Sequence, residues 1–276
     1  MRTAVVGHVE WVQFLRVERI PVRGQIVRTS AYWEEPGGGG PGAAVQLAKL
    51  AGPCTFFTAL GDDELGHRSL RELRNLGLDV RAIFRDAPQR RAVTFVDEQG
   101  ERAITVVGER LHPRADDPLP WDALDATDAV YFTAGDVGAL QRARRARTLV
   151  CTTRILDMLR EADASLDAVV GSDRDDSERY ETGDLQPVPR LAVLTRGAEG
   201  GRFSVEGRPW GRFAATPVPG PVVDSYGAGD SFAAGLAYGL AASSQPEKAI
   251  DLAARCGAAV LTGRGPYEGQ LSSVHL

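Results

Sequence analysis

The stretch Asp224-Ser225-Tyr226-Gly227-Ala228-Gly229-Asp230-Ser231-Phe232 sets two glycines and a carboxylate where a helix must begin. Gly227 and Gly229 free the backbone for close approach, so successive N–H groups can point at one spot. The run from Phe232 to Leu240 is apolar on every face and reads as a buried helix. Unsatisfied donors and the positive end of the helix dipole therefore coincide at the glycines, which suits a phosphate or another anion. Asp230 stands in the same place, either facing that anion or, with Ser231, capping the helix.

The elements that must hold this turn read as an α/β chain. Short apolar runs at Ala4–Val6, Cys54–Ala59, Ala129–Phe132, Leu149–Thr152, Ala168–Val170 and Leu191–Thr195 are strand-like, and most are followed by helical patterns. Such alternation implies a mainly parallel sheet covered on both faces, with ligands gathering at the carboxyl ends of its strands. A hairpin is expected over Gly201 to Phe213, and a final helix from about Pro246 to Leu261. Two other segments depart from this pattern. Residues 11–36 and 90–108 alternate polar and apolar side chains, with a turn at Asp97-Glu98-Gln99-Gly100, and read as exposed strands outside the core.

A second glycine-rich turn, Gly37 to Gly42, feeds the helix-patterned Ala43–Leu50, so a ligand could approach the backbone there too. Gly61-Asp62-Asp63-Glu64-Leu65-Gly66 follows a strand and reads on its own as an acidic helix N-terminus. Thr195-Arg196-Gly197-Ala198-Glu199-Gly200 is a strand-then-glycine turn, open to a nucleotide phosphate or simply leading into the hairpin.

In order and spacing, the stretch at Asp224 resembles the C-terminal signature of the PfkB, or ribokinase-like, carbohydrate kinases, Asp-Thr-x-Gly-Ala-Gly-Asp-x-Phe, with Ser225 in the threonine position. The resemblance extends along almost the whole chain. It implies a three-layer α/β/α ribokinase-like fold as one domain over residues 1–276, with a small β lid formed by the two alternating segments. It also implies an ATP-dependent kinase acting on a small-molecule hydroxyl, most simply that of a sugar. Asp230 would be the general base and the amides of Gly227, Ala228 and Gly229 the anion hole. Thr195, Gly197 and Gly200 would lie along the nucleotide, and Gly257, on the last helix, would admit a flat adenine unless its small side serves close helix packing.

On the acceptor side the resemblance points to Gly37, Gly38, Asp62 and Asp63, with Gly42 standing where the family carries asparagine. Val12 occupies the usual acidic position after the first strand, and Glu10, two residues earlier on the same strand face, could substitute. Mg²⁺ would arrive with ATP. Asp175, in a degraded Asn-x-x-Glu motif begun by Ser172, could help organise it, and Asp224 could help bind a monovalent cation such as K⁺ or merely stabilise its turn. The degraded motifs leave two alternatives: a catalytically weak ligand-binding or regulatory relative, and a kinase for a nucleoside or other non-sugar alcohol.

With 276 residues, 43% of them hydrophobic, the chain can bury a large core. A net charge of −5, from 32 basic and 37 acidic residues, argues against a general nucleic-acid or anionic-membrane binder. Cys54, Cys151 and Cys256 are scattered and odd in number, as in a reduced cytoplasmic protein, and no signal peptide or spanning segment is evident. Exposed lid strands need covering, so a homodimer through the lid is expected.

Overall fold

A computed structural model of the chain describes residues 1–243 and 245–275. The main sheet has nine strands. Its parallel part runs, in spatial order, through β5 (Asp79–Arg85), β4 (Cys54–Gly61), β1 (Thr3–Val6), β8 (Ala129–Phe132), β9 (Thr148–Thr152), β10 (Ala168–Ser172) and β11 (Leu191–Thr195). The antiparallel hairpin β12 (Gly201–Val205) and β13 (Gly211–Phe213) closes the β11 edge.

Successive side chains on β1 divide between two cores, which is why its sequence is apolar throughout. Val5 faces a cluster with α1 (Gly39–Ala51), α2 (Glu64–Asn75), α5 (Ala228–Ala242) and α6 (Pro246–Val260). Ala4 and Val6 face a second cluster with α3 (Val137–Ala143), α4 (Leu156–Ala162) and the buried Trp121. These are the three layers expected. Close packing of α5 on α6 depends on missing side chains: a Cβ at Gly235 would lie 2.8 Å from the Cys256 sulfur, and one at Gly239 2.8 Å from the Ala249 Cα.

The four-stranded lid has the order β3 (Ala31–Gly37), β2 (Glu10–Arg16), β6 (Arg91–Val96), β7 (Arg102–Val107), with β2 and β6 parallel. Residues 17–30 between β2 and β3 form no strand. The lid is not wholly exposed, contrary to the reading of its polar–apolar alternation. Val12 and Phe14 of β2 are buried, because β2 is a central strand and that face packs with Ala92, Val96 and Trp33 around Tyr226; Trp11, on the opposite face, is buried too, with the Arg68 guanidinium 4.4 Å from its ring centroid. Strand β5 was not foreseen: four of its seven residues are Asp79, Arg81, Arg85 and the half-buried Ala82, and as an edge strand it needs no continuous apolar face. Among the described residues no helix is long and apolar enough to cross a membrane.

Candidate active site

Two helices start at one place without side-chain caps. Gly227 begins α5 with φ 82°, and Gly38 begins α1 with φ 90°; both are conformations that side chains disfavour. Asp230, in the first turn of α5, lies between them. A Cβ on Gly39 would come within 3.4 Å of the Asp230 carboxylate, and one on Gly42 within 3.3 Å of the Asp230 Cβ. Glycine in the asparagine position thus leaves room directly against the carboxylate. Of the α5 amides, Ala228 N–H reaches only the Ser225 carbonyl, at 3.5 Å, so the turn keeps donors to offer a ligand.

Asp230 is partly open to solvent at the floor of the cleft, yet enclosed by protein on most sides. That enclosure pushes its pKa up to about 7, with Glu178 and Glu10 adding to the rise while Arg154 and Arg102 pull the other way. A carboxyl titrating near neutrality is suited to accept a proton from a hydroxyl. The dipoles of both helices favour its ionised form, and any anion beside it.

Tyr226, the variable residue of the signature, ties the turn to its surroundings. Its hydroxyl accepts the Gly38 N–H at 3.0 Å, and its ring packs edge-on to Phe14 of the lid with centroids 4.9 Å apart. Arg102 donates to the Ser225 carbonyl and hydroxyl at 2.6 and 2.9 Å, and Ser225 N–H donates to the Gly100 carbonyl at 3.0 Å. Lid, signature turn and α1 are therefore one packed unit.

Asp224 is fully buried and both its oxygens are occupied, accepting the N–H of Tyr226 at 2.8 Å and of Gly265 at 3.0 Å. This is the turn-stabilising alternative in place. Asp224→Ala strands two buried N–H groups and should cost about 2–4 kcal/mol of stability, read as a lower Tm with or without K⁺. Asp175 accepts the Ser177 N–H at 2.9 Å and pairs with Arg154 at 2.9 Å. Among the described residues no group of three or more His, Cys, Asp or Glu is placed to hold a metal ion, so the protein's own carboxylates do not form a cage around one.

Asp63 caps α2 through the Gly66 N–H at 2.8 Å and accepts the Gln89 N–H at 2.9 Å, while Asp62 is exposed beside His67. The acidic helix start is thus realised, and Asp63 also fixes the segment that carries Arg90. Glu10 is 6% exposed and forms an ion pair with Arg90 at 2.8 Å; His8 stands 3.6 Å away. Burial opposes ionisation of Glu10, but His8, Arg90 and Arg110 outweigh it and hold its pKa below the usual range.

A cavity of about 590 Å³ lies between the β12–β13 hairpin, the segment leaving it and α6, with Phe203, Phe213, Ile250 and Ala254 in its walls. Phe213 stacks on Phe232 at 6.0 Å, so the cavity adjoins the first turn of α5. A nucleobase fits such a volume and such apolar walls. Gly257 is not in the lining: a Cβ there would lie 3.3 Å from the Ala228 carbonyl, so its small size lets α6 support the anion turn. Gly200 is needed for the hairpin, since a Cβ would fall 2.1 Å from the Phe213 carbonyl, and the Thr195 hydroxyl donates to the Gly171 carbonyl at 3.2 Å. Gly197, with φ 60°, is exposed at the carboxyl end of β11.

The sequence reading missed Arg90, Arg110 and Arg154. Arg154 lies two residues past the end of β9 and pairs with Glu178 as well as Asp175. Its position just past a strand end was the available signal; arginines elsewhere in so arginine-rich a chain give none.

The model of the pfkB family of carbohydrate kinases matches residues 2–182 and 166–272. A fructokinase of Escherichia coli is 28% identical over 270 residues, covering 83% of this chain and 87% of its own. An ATP-dependent ribose-1-phosphate kinase of Halopiger xanaduensis is 26% identical over 277 residues, covering 94% of this chain and 91% of its own. The crystal structure of a ribokinase from Thermotoga maritima superposes with a TM-score of 0.79 at 19% identity, covering 100% of this chain and 97% of that one, and so shares its fold.

Proposed function

Because the chain belongs to the pfkB family of carbohydrate kinases and is a phosphotransferase with an alcohol acceptor, we propose that it moves the γ-phosphate of ATP to a hydroxyl held against Asp230. The observation that carries this reading is Asp230 itself: a carboxylate with a pKa near 7, set in a helix start that has no side-chain cap. Asp230 takes the proton of the attacking hydroxyl, and the amides of Gly227, Ala228 and Gly229 receive the charge that develops on the moving phosphoryl group. The adenine occupies the cavity against α6, and Thr195 and Gly197, at the carboxyl end of β11, bind the nucleotide phosphates. Mg²⁺, carried by the nucleotide, neutralises phosphate charge when bound. The lid, already docked on the signature turn, excludes water from the acceptor.

The names of the relatives span a free sugar and a sugar phosphate, so the acceptor is a sugar or a close analogue. The exposed Ile104, Val106 and Val107 on edge strand β7 support covering of the lid by a second copy of the chain.

An ATP-consumption screen against sugars, nucleosides and hydroxymethyl heterocycles tests the reading. Turnover with a member of one class is the expected result. Tight binding of an acceptor with no ATP consumption would overturn it in favour of a ligand-binding module.

A further inference from the structure

At the lid end of the cleft, positive charge exceeds negative where a sugar kinase would be expected to offer a carboxylate. Register pairs Arg91, the first residue of β6, with Val107, the last of β7, so Arg90 flanks the exit of β7. A Cβ on Gly108 would lie 3.9 Å from the Arg90 Cα, and Arg110 follows two residues later. The same sheet edge carries Glu10, since Trp11 N–H donates to the Arg90 carbonyl at 2.8 Å.

The Glu10 carboxylate is already engaged by Arg90 and has little capacity left for neutral hydroxyls. Arg154 is balanced by Asp175 and Glu178. Arg110 has no such balance. It is half-buried, and its Nε is sealed from water without a hydrogen-bond partner. A half-buried guanidinium so short of partners is costly, and an oxyanion accepting from its outer N–H groups lowers that cost. Burial and the like charges of Arg90 and Arg154 press the Arg110 pKa downward, with Glu10 the opposing influence; a bound anion would relieve the same strain.

Resting on the kinase reading above, we propose that the acceptor carries an anionic group, a phosphate or a carboxylate, which Arg110 grips beside the Arg90–Glu10 pair while the reacting hydroxyl faces Asp230. Two guanidinium groups suit either oxyanion through forked N–H donors.

The test compares kcat/KM for matched acceptors: ribose with ribose 1-phosphate and ribose 5-phosphate, fructose with fructose 6-phosphate, and gluconate as the carboxylate. An anionic member should be preferred to its neutral counterpart, and the phosphate and carboxylate arms identify the source. For that substrate Arg110→Ala should raise KM about 10- to 100-fold with little change in KM for ATP, and Arg110→Lys should recover part of the loss. The Tm of Arg110→Ala should equal or exceed that of the parent, since the variant removes a half-buried cation short of partners; a purely structural arginine would lower it. Efficient turnover of neutral sugars alone, with KM unmoved by Arg110→Ala, overturns the proposal and leaves the kinase reading standing. No turnover with any acceptor, and no ATP binding by calorimetry, overturns both.

Discussion

Asp230→Asn is expected to lower kcat by about 10²–10⁴-fold while leaving ATP affinity largely intact, because it removes the proton acceptor and keeps the shape. The same substitution should stabilise the protein. In the folded chain the Asp230 carboxyl titrates near 7, against an ordinary value of 3.8, so between those values the unfolded chain binds fewer protons and stability falls as pH rises. Asparagine is spared that loss. The variant should therefore gain on the order of 1–3 kcal/mol over the parent at pH 8, discounted for the solvent that reaches the side chain, and nothing at pH 4. In the parent, kcat/KM should climb as pH passes through about 7, when the base ionises. Near-parental turnover of the variant, or a profile flat from about pH 5 to 9, would remove Asp230 from the mechanism.

A comparison of two neighbouring glycines separates chemistry from folding. A Cβ on Gly229 would meet nothing within 4 Å, and the residue is exposed, so Gly229→Ala should fold with an unchanged Tm. Its methyl group would project into the open space at the turn where the phosphoryl group is expected. A loss in kcat on the order of 10²-fold follows, as for removal of one donor from an anion hole. Gly227→Ala meets the opposite situation: φ is 82° and the Cβ would lie 3.0 Å from the Pro266 Cα. That variant should lose about 1–3 kcal/mol of stability in addition to activity. If Gly229→Ala unfolds early or retains full turnover, the amides around Gly229 are not the anion hole.

Much of the fold and the chemical end of the site could be read from sequence because both depend on local rules. Apolar runs mark strands buried on both faces, and a glycine pair before an apolar helix marks an anion turn wherever it occurs. The lid strands Arg91–Val96 and Arg102–Val107 fell where the alternation put them. Burial of Val12 and Phe14 depends instead on Tyr226, more than two hundred residues away, and no periodicity encodes that. Edge strand β5 carries charge where a core strand would not and so was not distinguished from loop. The Arg90–Glu10–Arg110 group is assembled by register between strands, and spacing along the chain is silent about register. Asp63 was readable as a helix cap, but its second hydrogen bond, to Gln89, appears only in three dimensions.

The contact of Tyr226 with both the Gly38 amide and the ring of Phe14 has an evolutionary consequence. A lid carried on its own hinge could drift toward new acceptors while the phosphoryl machinery stayed fixed. Here one aromatic residue belongs to the lid core and to the signature turn at once, so substitutions around Phe14, Trp33 or Val12 are transmitted to the Asp230 helix. Lineages of this chain that change acceptor should therefore do so through the lid arginines, and keep the aromatic residues around Tyr226 constant.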